Sequence, residues 1–392
     1  MRLLPPGVVA FTLLLLAGPA TAAGPASVAR SDRSLWPEAL DSPAAFDRAS
    51  RAEILSFAAA LAETEPFDAG ALATALSIQS APLEGVRAWR RLAIERLAEN
   101  FRRASGQCKA AEWLCDPDMT AAGLSERAAH LDPVPEPLRP WRENTRAFHR
   151  AYAKEQLRLA ALFPHPTSEI LTLSDEEKTG FELPDRRFLL TFDDGPSPRN
   201  GTTDALLAVL RESGRDGVFY MLGKRLQARQ AHEKDPALLA RFEGMCVASH
   251  GARHVSHQGF PGWQASVTET DAQLRRVFGP RYRPLFRPPY GQRKRDSATF
   301  FADHGLTVAL WNIDSQDWSG GVDADAVQAR VLSLMLLWRR GVILFHDIHD
   351  KAARALPGLW RATDASGVVW LGCSEYPAAA SPESTSAGGR GH

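Results

Sequence analysis

Seven short apolar runs between residues 186 and 371 constrain this chain most: RFLLTF, GVFYML, MCVAS, RPLF, TVALWNI, GVILF and GVVWL. Helical stretches separate them, such as TTDALLAVLRESG, which opens on threonine and closes on glycine as helix start and stop signals require. Strands that alternate with helices pair in parallel, because a parallel neighbour can be reached only by a crossover. The rhythm therefore predicts an α/β unit, either a barrel or a doubly wound sheet.

The part before it has a different rhythm. Val86, Trp89, Ala93, Leu97 and Phe101 recur at helical spacing, as do Phe148, Ala151, Tyr152 and Leu159, with arginines and glutamates on the other faces. We expect a helical region over residues 24–163, a linker over 164–185, the α/β unit over 186–375, and a disordered tail over 376–392. Residues 1–23 read as an export signal: Arg2, an apolar stretch from Val8 to Gly18, then the small-residue site Ala20-Thr21-Ala22. The expected location is the periplasm or the extracellular space, with no integral membrane segment left after cleavage.

With 46 basic and 46 acidic residues, no charge excess recruits nucleic acid or an anionic surface. Four cysteines in an exported chain are most simply two disulfides. Cys108 and Cys115 are the favoured pair, which leaves Cys246 and Cys373 to join distant strands.

Functional groups of parallel α/β units gather at the C-terminal ends of the strands. Asp193 and Asp194 follow the first run there, and His250, His254 and His257 the third. Arg287 follows the fourth, Asp314 and Asp317 the fifth, and His346 and His349 the sixth. Singly, each is ordinary turn chemistry or a satisfied histidine. Together they are chemically coherent: one carboxylate of the Asp193–Asp194 pair and two imidazoles can bind a borderline divalent ion, freeing the other carboxylate as a base. His254 and His257 are an alternative imidazole pair, although His250 sits directly at the strand end. His149 and His165 lie outside this half and read as ordinary.

TFDDGP, a His-x-x-x-His, RPPYG, DSQDW and LFH, in that order from about Phe188 to Leu371, resemble the five motifs of the polysaccharide deacetylase family. The resemblance implies a distorted (β/α)7 barrel of deacetylase type preceded by an all-α N-terminal domain, and hydrolysis of N-acetyl groups on sugars in polymers. Carried across, Asp193 resembles the general base. Asp194, His250 and His254 are similar to the ligands of one divalent ion, with zinc expected. Arg287 is similar to the arginine that orients the base, His346 to the general acid, and Asp314 to the residue that positions it. Tyr290 corresponds to the backbone that helps hold the oxyanion, and Trp318 and Leu344 to the walls of the acetyl pocket. Gly251 departs from the pattern, which carries serine or threonine there to brace the loop. The implied partner is an acetylated glycan polymer: peptidoglycan, an exopolysaccharide or a chitin-like chain. O-deacetylation of a polymer such as acetylated xylan and a catalytically silent glycan-binding barrel are the alternatives.

Overall fold

The computed structural model describes residues 27–109, 112–163 and 165–376; the export signal and all but the first residue of the expected tail lie outside them. Helices α1 (Pro43–Ala62), α2 (Ala69–Leu76), α3 (Leu83–Ser105), α4 (Ala121–Ala129) and α5 (Arg139–Leu162) come first. Ser42, Asp68 and Thr120 cap α1, α2 and α4, each side chain accepting from a backbone N–H of the first turn.

The second half runs β1 (Arg187–Asp193), α6 (Thr202–Glu212), β2 (Val218–Met221), α7 (Gly223–Gln230), α8 (Asp235–Arg241), β3 (Cys246–Ser249) and α9 (Trp263–Phe278). It continues through β4 (Tyr282–Phe286), α10 (Ala298–Asp303), β5 (Thr307–Val308), β6 (Ile313–Asp314), α11 (Ala324–Trp338), β7 (Gly341–His346), α12 (Lys351–Thr363) and β8 (Val369–Trp370). The strands pair in parallel in the order β5-β4-β3-β2-β1-β7-β6, and β8 joins the start of β1. β1 is central and buried along most of its length, as its unbroken apolar run requires.

One run divides. TVALWNI, expected as a single strand, forms β5 and β6 on opposite edges of the sheet, and the residues between them cross the gap. Ala309 N donates to Phe286 O on one side and Asn312 N to Val342 O on the other, while Leu310 N donates to Lys178 O. The crossing closes the sheet into a distorted barrel. Disulfides join Cys108 to Cys115 and Cys246 to Cys373, the second tying the start of β3 to the segment after β8.

The helical region packs on α11, and the reason is legible in VLSLMLLW. That stretch is apolar on every side, so one barrel face cannot bury it all. Phe57 of α1 lies edge-on to the Trp338 indole, whose Nε1 donates to Tyr152 Oη of α5 at 2.9 Å. Ser50 Oγ donates to Leu336 O at 2.6 Å, and Asn100 Nδ2 to Trp338 O at 3.1 Å. Both halves thus contribute to one continuous core. Residues 165–186 are also tied to the barrel: Arg293 forms an ion pair with Glu177, and Arg339 is bidentate to Asp185.

No helix among the described residues is long and apolar enough to cross a membrane. Removing residues 1–183 uncovers α11 around Trp338 and leaves a large apolar patch. Expressed without them, the barrel is expected to elute as aggregate in size-exclusion chromatography; a soluble monomer with native far-UV circular dichroism would contradict the shared core.

Candidate active site

Asp193 ends β1 and Asp194 begins the turn after it. Asp194 adopts φ 80, a left-handed conformation uncommon outside glycine, so the two side chains leave the strand in different directions. Asp193 turns into the barrel and is buried. Its Oδ1 accepts from Arg287 Nη1 at 2.8 Å. Arg287 is itself fully buried: it also donates to Thr191 Oγ1, Ala309 O and Leu310 O, and its guanidinium lies 4.0 Å over the Tyr220 ring. Every direction in which that fork could swing is occupied, so Asp193 is held in place by a charge-assisted bond.

Asp194 faces the histidines. Its Oδ1 lies 3.4 Å from His250 Nε2 and 3.5 Å from His254 Nε2, and that oxygen is buried without a hydrogen-bond partner. Ligand atoms of the three residues all fall within 4.8 Å of one another. His250 Nδ1 donates to Arg287 O at 2.7 Å, because a carbonyl only accepts, and this bond turns the other ring nitrogen, Nε2, toward Asp194. Burial and the neighbouring His250 hold His254 down at about 4, so it stays neutral. Burial opposes ionisation of Asp194, yet the imidazoles of His250, His254 and His346 around it outweigh burial and keep its pKa well below the usual carboxylate range. Two imidazoles and one carboxylate whose buried oxygen has no hydrogen-bond partner fit a divalent cation such as zinc.

His257 is not part of this cluster. It is buried against Phe286 and its Nε2 meets Ser266 Oγ at 3.0 Å. Gly251, with φ 79, explains the missing hydroxyl: a Cβ there would sit 2.8 Å from His257 Cε1. Ser266 Oγ braces the loop instead, accepting from Ala252 N at 2.8 Å.

His346 ends β7 beside Asp193, its paired residue across the sheet. Its Nδ1 donates to Asp317 Oδ1 at 2.7 Å, and its backbone N donates to Asp317 Oδ2 at 2.9 Å. Burial disfavours the imidazolium, but Asp317, by charge and hydrogen bond, and then Asp194 and Asp193 outweigh it and push the His346 pKa up to about 10. It is therefore a proton donor at neutral pH.

These groups share one cavity of about 300 Å³. Tyr290, Trp318 and Leu344 line it, with Tyr290 and Trp318 exposed at 43% and 41%. Tyr290 has φ 59 and its ring meets His254 at 4.3 Å between centroids.

Residues 181–309 match the polysaccharide deacetylase family model. This segment belongs to the polysaccharide deacetylase family. The chain is 30% identical over 196 residues to a peptidoglycan-N-acetylmuramic acid deacetylase of Bacillus subtilis (strain 168), covering 48% of this chain and 38% of that one. It is likewise 30% identical over 176 residues to a peptidoglycan-N-acetylglucosamine deacetylase of Listeria monocytogenes (strain 10403S), covering 44% and 34%. The chain thus spans little more than a third of the length of these relatives. A family 4 carbohydrate esterase from Streptomyces lividans, solved in complex with acetate, is 29% identical, covers 47% of this chain and 91% of its own, and superposes with a TM-score of 0.40.

Within this deacetylase segment and its surroundings, one expected role is corrected. Asp314 does not contact His346; Asp317 does. Asp314 accepts from Gln316 N and Nε2, both at 2.8 Å. Gln316 has φ 58, which reverses the chain and swings Asp317 back under β7. DSQDW offers two aspartates, and only the backbone geometry between them decides which one turns inward.

Motif reading also missed the cavity's far wall. Tyr152, Glu155 and Leu159 follow one another at i+3 and i+4 on α5, so a face that starts in the helical core continues into the cavity. Glu155, Gln156 and Leu159 line it, as does Glu169 from the connecting segment. Glu155 is buried and paired with Arg330 of α11, whose Nη2 donates to it at 2.6 Å while Nε donates to Asp314 O at 2.9 Å. The periodicity of α5 places Tyr152 and Leu159 on its apolar face, but nothing in the sequence says what that face meets or that Glu155 shares it.

Replacing Asp317 by asparagine removes the charge that raises His346. The high-pH limb of the turnover profile, where His346 loses its proton, should then move to lower pH, with kcat falling about 10²–10⁴-fold. Asp314→Asn should leave that limb where it is. A limb that moves in Asp314→Asn and stays fixed in Asp317→Asn would reverse the assignment.

Proposed function

We propose that this protein is an exported, metal-dependent hydrolase that removes N-acetyl groups from amino sugars in a glycan polymer, with peptidoglycan favoured over an exopolysaccharide or chitin-like chain. The observation that carries the reading is a fixed carboxylate, a two-histidine and one-carboxylate cluster and a charged histidine around a single cavity. The similarity to curated peptidoglycan deacetylases supports the substrate class. The apolar stretch of the first 23 residues supports export.

Asp194, His250 and His254 would hold one divalent ion, zinc by its donor set, and the ion would supply Lewis-acid chemistry by acidifying water and polarising the acetyl carbonyl. Asp193, oriented by Arg287, accepts the proton of the attacking water. His346, kept charged by Asp317, gives its proton to the departing sugar nitrogen as the C–N bond breaks. An amide needs that proton because an unprotonated amine leaves poorly. The Tyr290 backbone helps hold the oxyanion, and Trp318 and Leu344 wall the space for the acetyl methyl.

Acetate release from purified peptidoglycan and from N-acetylglucosamine oligomers is the test. Zinc-loaded protein is expected to release acetate, chelated protein to be inactive, and Asp193→Asn to lose at least about 10²-fold. Release from acetylated xylan alone would favour the ester hydrolase. Tight zinc binding with silence on every polymer would overturn the reading.

A further inference from the structure

Arg330 of α11 and Glu155 of α5 form a buried ion pair, 1% and 5% exposed, and both lie outside the residues matched by the family model. Nη2 of Arg330 donates to Glu155 Oε2 at 2.6 Å and Nη1 to Glu155 Oε1 at 3.1 Å. Ala29 joins the pair through its backbone: its N–H donates to Glu155 Oε1 at 2.6 Å, and its carbonyl accepts from Nη1 at 3.2 Å. Nε is left, and it donates to the backbone oxygen of Asp314 at 2.9 Å. A buried ion pair is a poor device for stability alone, because well-packed apolar side chains of similar volume often serve as well or better. What a planar arginine bonded on several sides adds is a fixed position for the atoms that accept from it.

The atom held in this way stands at the entry of the loop that carries Asp317. Asp314 ends β6, Ser315 N donates to Leu344 O at 3.2 Å, Gln316 turns back with φ 58, and Asp317 then reaches His346. The exit of the loop is held by its carbonyls as well: Lys351 Nζ donates to Ser319 O at 2.5 Å, and Arg30 donates to Gly321 O. Three cations from outside the loop thus grip three of its backbone oxygens. Arg30 is exposed and Lys351 half-buried, so Arg330 is the buried member of the three. It also acts two residues before the dihedral that decides where Asp317 points. A displacement of Asp314 O is carried across that turn to the Asp317 carboxylate, which holds both the His346 ring and its backbone N–H. At 2.7 Å the ring contact has little slack, and a shift of about 1 Å takes it out of hydrogen-bond range.

We infer, resting on the hydrolase reading above, that Glu155 and Arg330 are positioning residues for proton delivery: they fix the loop so that Asp317 keeps His346 aimed at the departing nitrogen. Through Glu155 the helical region then serves the chemical step as well as the fold. The consequence falls on one part of the reaction. Asp193 ends β1, Asp194 follows it, His250 and His254 follow β3 and Arg287 follows β4, so none of them rides on this loop. Loss of the clamp therefore impairs protonation of the leaving group more than activation of water.

The test replaces the pair as a unit. Glu155→Leu combined with Arg330→Met removes the clamp without stranding a buried charge, so the double variant is expected to fold with native circular dichroism. Glu155→Gln, which keeps the size of the side chain, is read in the same way as a second variant. Zinc-loaded wild type and variants are compared on an N-acetylglucosamine tetramer, whose nitrogen needs a proton to leave, and on 4-nitrophenyl acetate, whose phenolate leaves without one. Both substrates carry the same acetyl group, so damage to the ion, the base or the acetyl pocket lowers both together. The expected result is a fall of about tenfold or more in kcat on the tetramer relative to the ester. The low-field proton resonance of the His346–Asp317 hydrogen bond, identified as the signal that Asp317→Asn abolishes, is expected to shift or disappear. An unchanged ratio with an unmoved resonance in a folded variant, or equal loss on both substrates, overturns the inference. A moved resonance in a protein whose wild type releases no acetate from any glycan would overturn the hydrolase reading and keep the positioning; acetate release with ratio and resonance both unmoved would do the reverse.

Discussion

Two adjacent carboxylates at the end of a central strand can coexist in a buried site only if each is answered by a separate positive charge. The buried Arg287–Asp193 ion pair is the first answer, and the remainder of the site is arranged around it. Arg287 fixes Asp193 through its guanidinium and His250 through its carbonyl oxygen, so one residue just after β4 sets both the candidate base and the orientation of an imidazole. Removing one partner of such a pair leaves an uncompensated buried charge, a cost of about 3–5 kcal/mol. The second answer would be a divalent cation held between Asp194 and the two imidazoles that face it, since the left-handed turn at Asp194 directs its side chain toward them and away from Asp193.

Charge balance then extends across the barrel. His346 and Asp193 are paired residues on neighbouring strands, so the candidate acid and base come to the same rim by register alone. Asp317 keeps the imidazole charged, and the loop that carries Asp317 is tied through Asp314 O to Arg330 and from there to Glu155 of α5. The helical region therefore reaches the chemistry through an ion pair at the interface as well as through the shared core around Trp338. It is a part of the cavity's architecture and not a detached appendage.

Much of this was legible in the sequence for a physical reason. Strand ends in parallel sheets are fixed by the same apolar runs that announce the strands, so the residues just after those runs must share a rim. That logic brought Asp193, Asp194, His250, Arg287 and His346 to one place. It failed where direction depends on a single dihedral: the choice between Asp314 and Asp317 hangs on the backbone of Gln316. It failed again for TVALWNI, whose length fits one strand but whose middle crosses between sheet edges. Glu155, Gln156 and Glu169 were out of reach because their neighbours are set by tertiary packing. The all-round apolar character of α11 was the one signal that something must cover it.

The proposed chemistry depends on Asp194, His250 and His254 acting as one ligand set, with His257 serving only to pack the loop. Zinc titration by calorimetry of the wild type, His254→Ala and His257→Ala tests this most directly. One tight site is expected in the wild type, lost or weakened at least about a hundredfold in His254→Ala and retained within about tenfold in His257→Ala. Tight zinc binding that survives in His254→Ala and disappears in His257→Ala would contradict the ligand set.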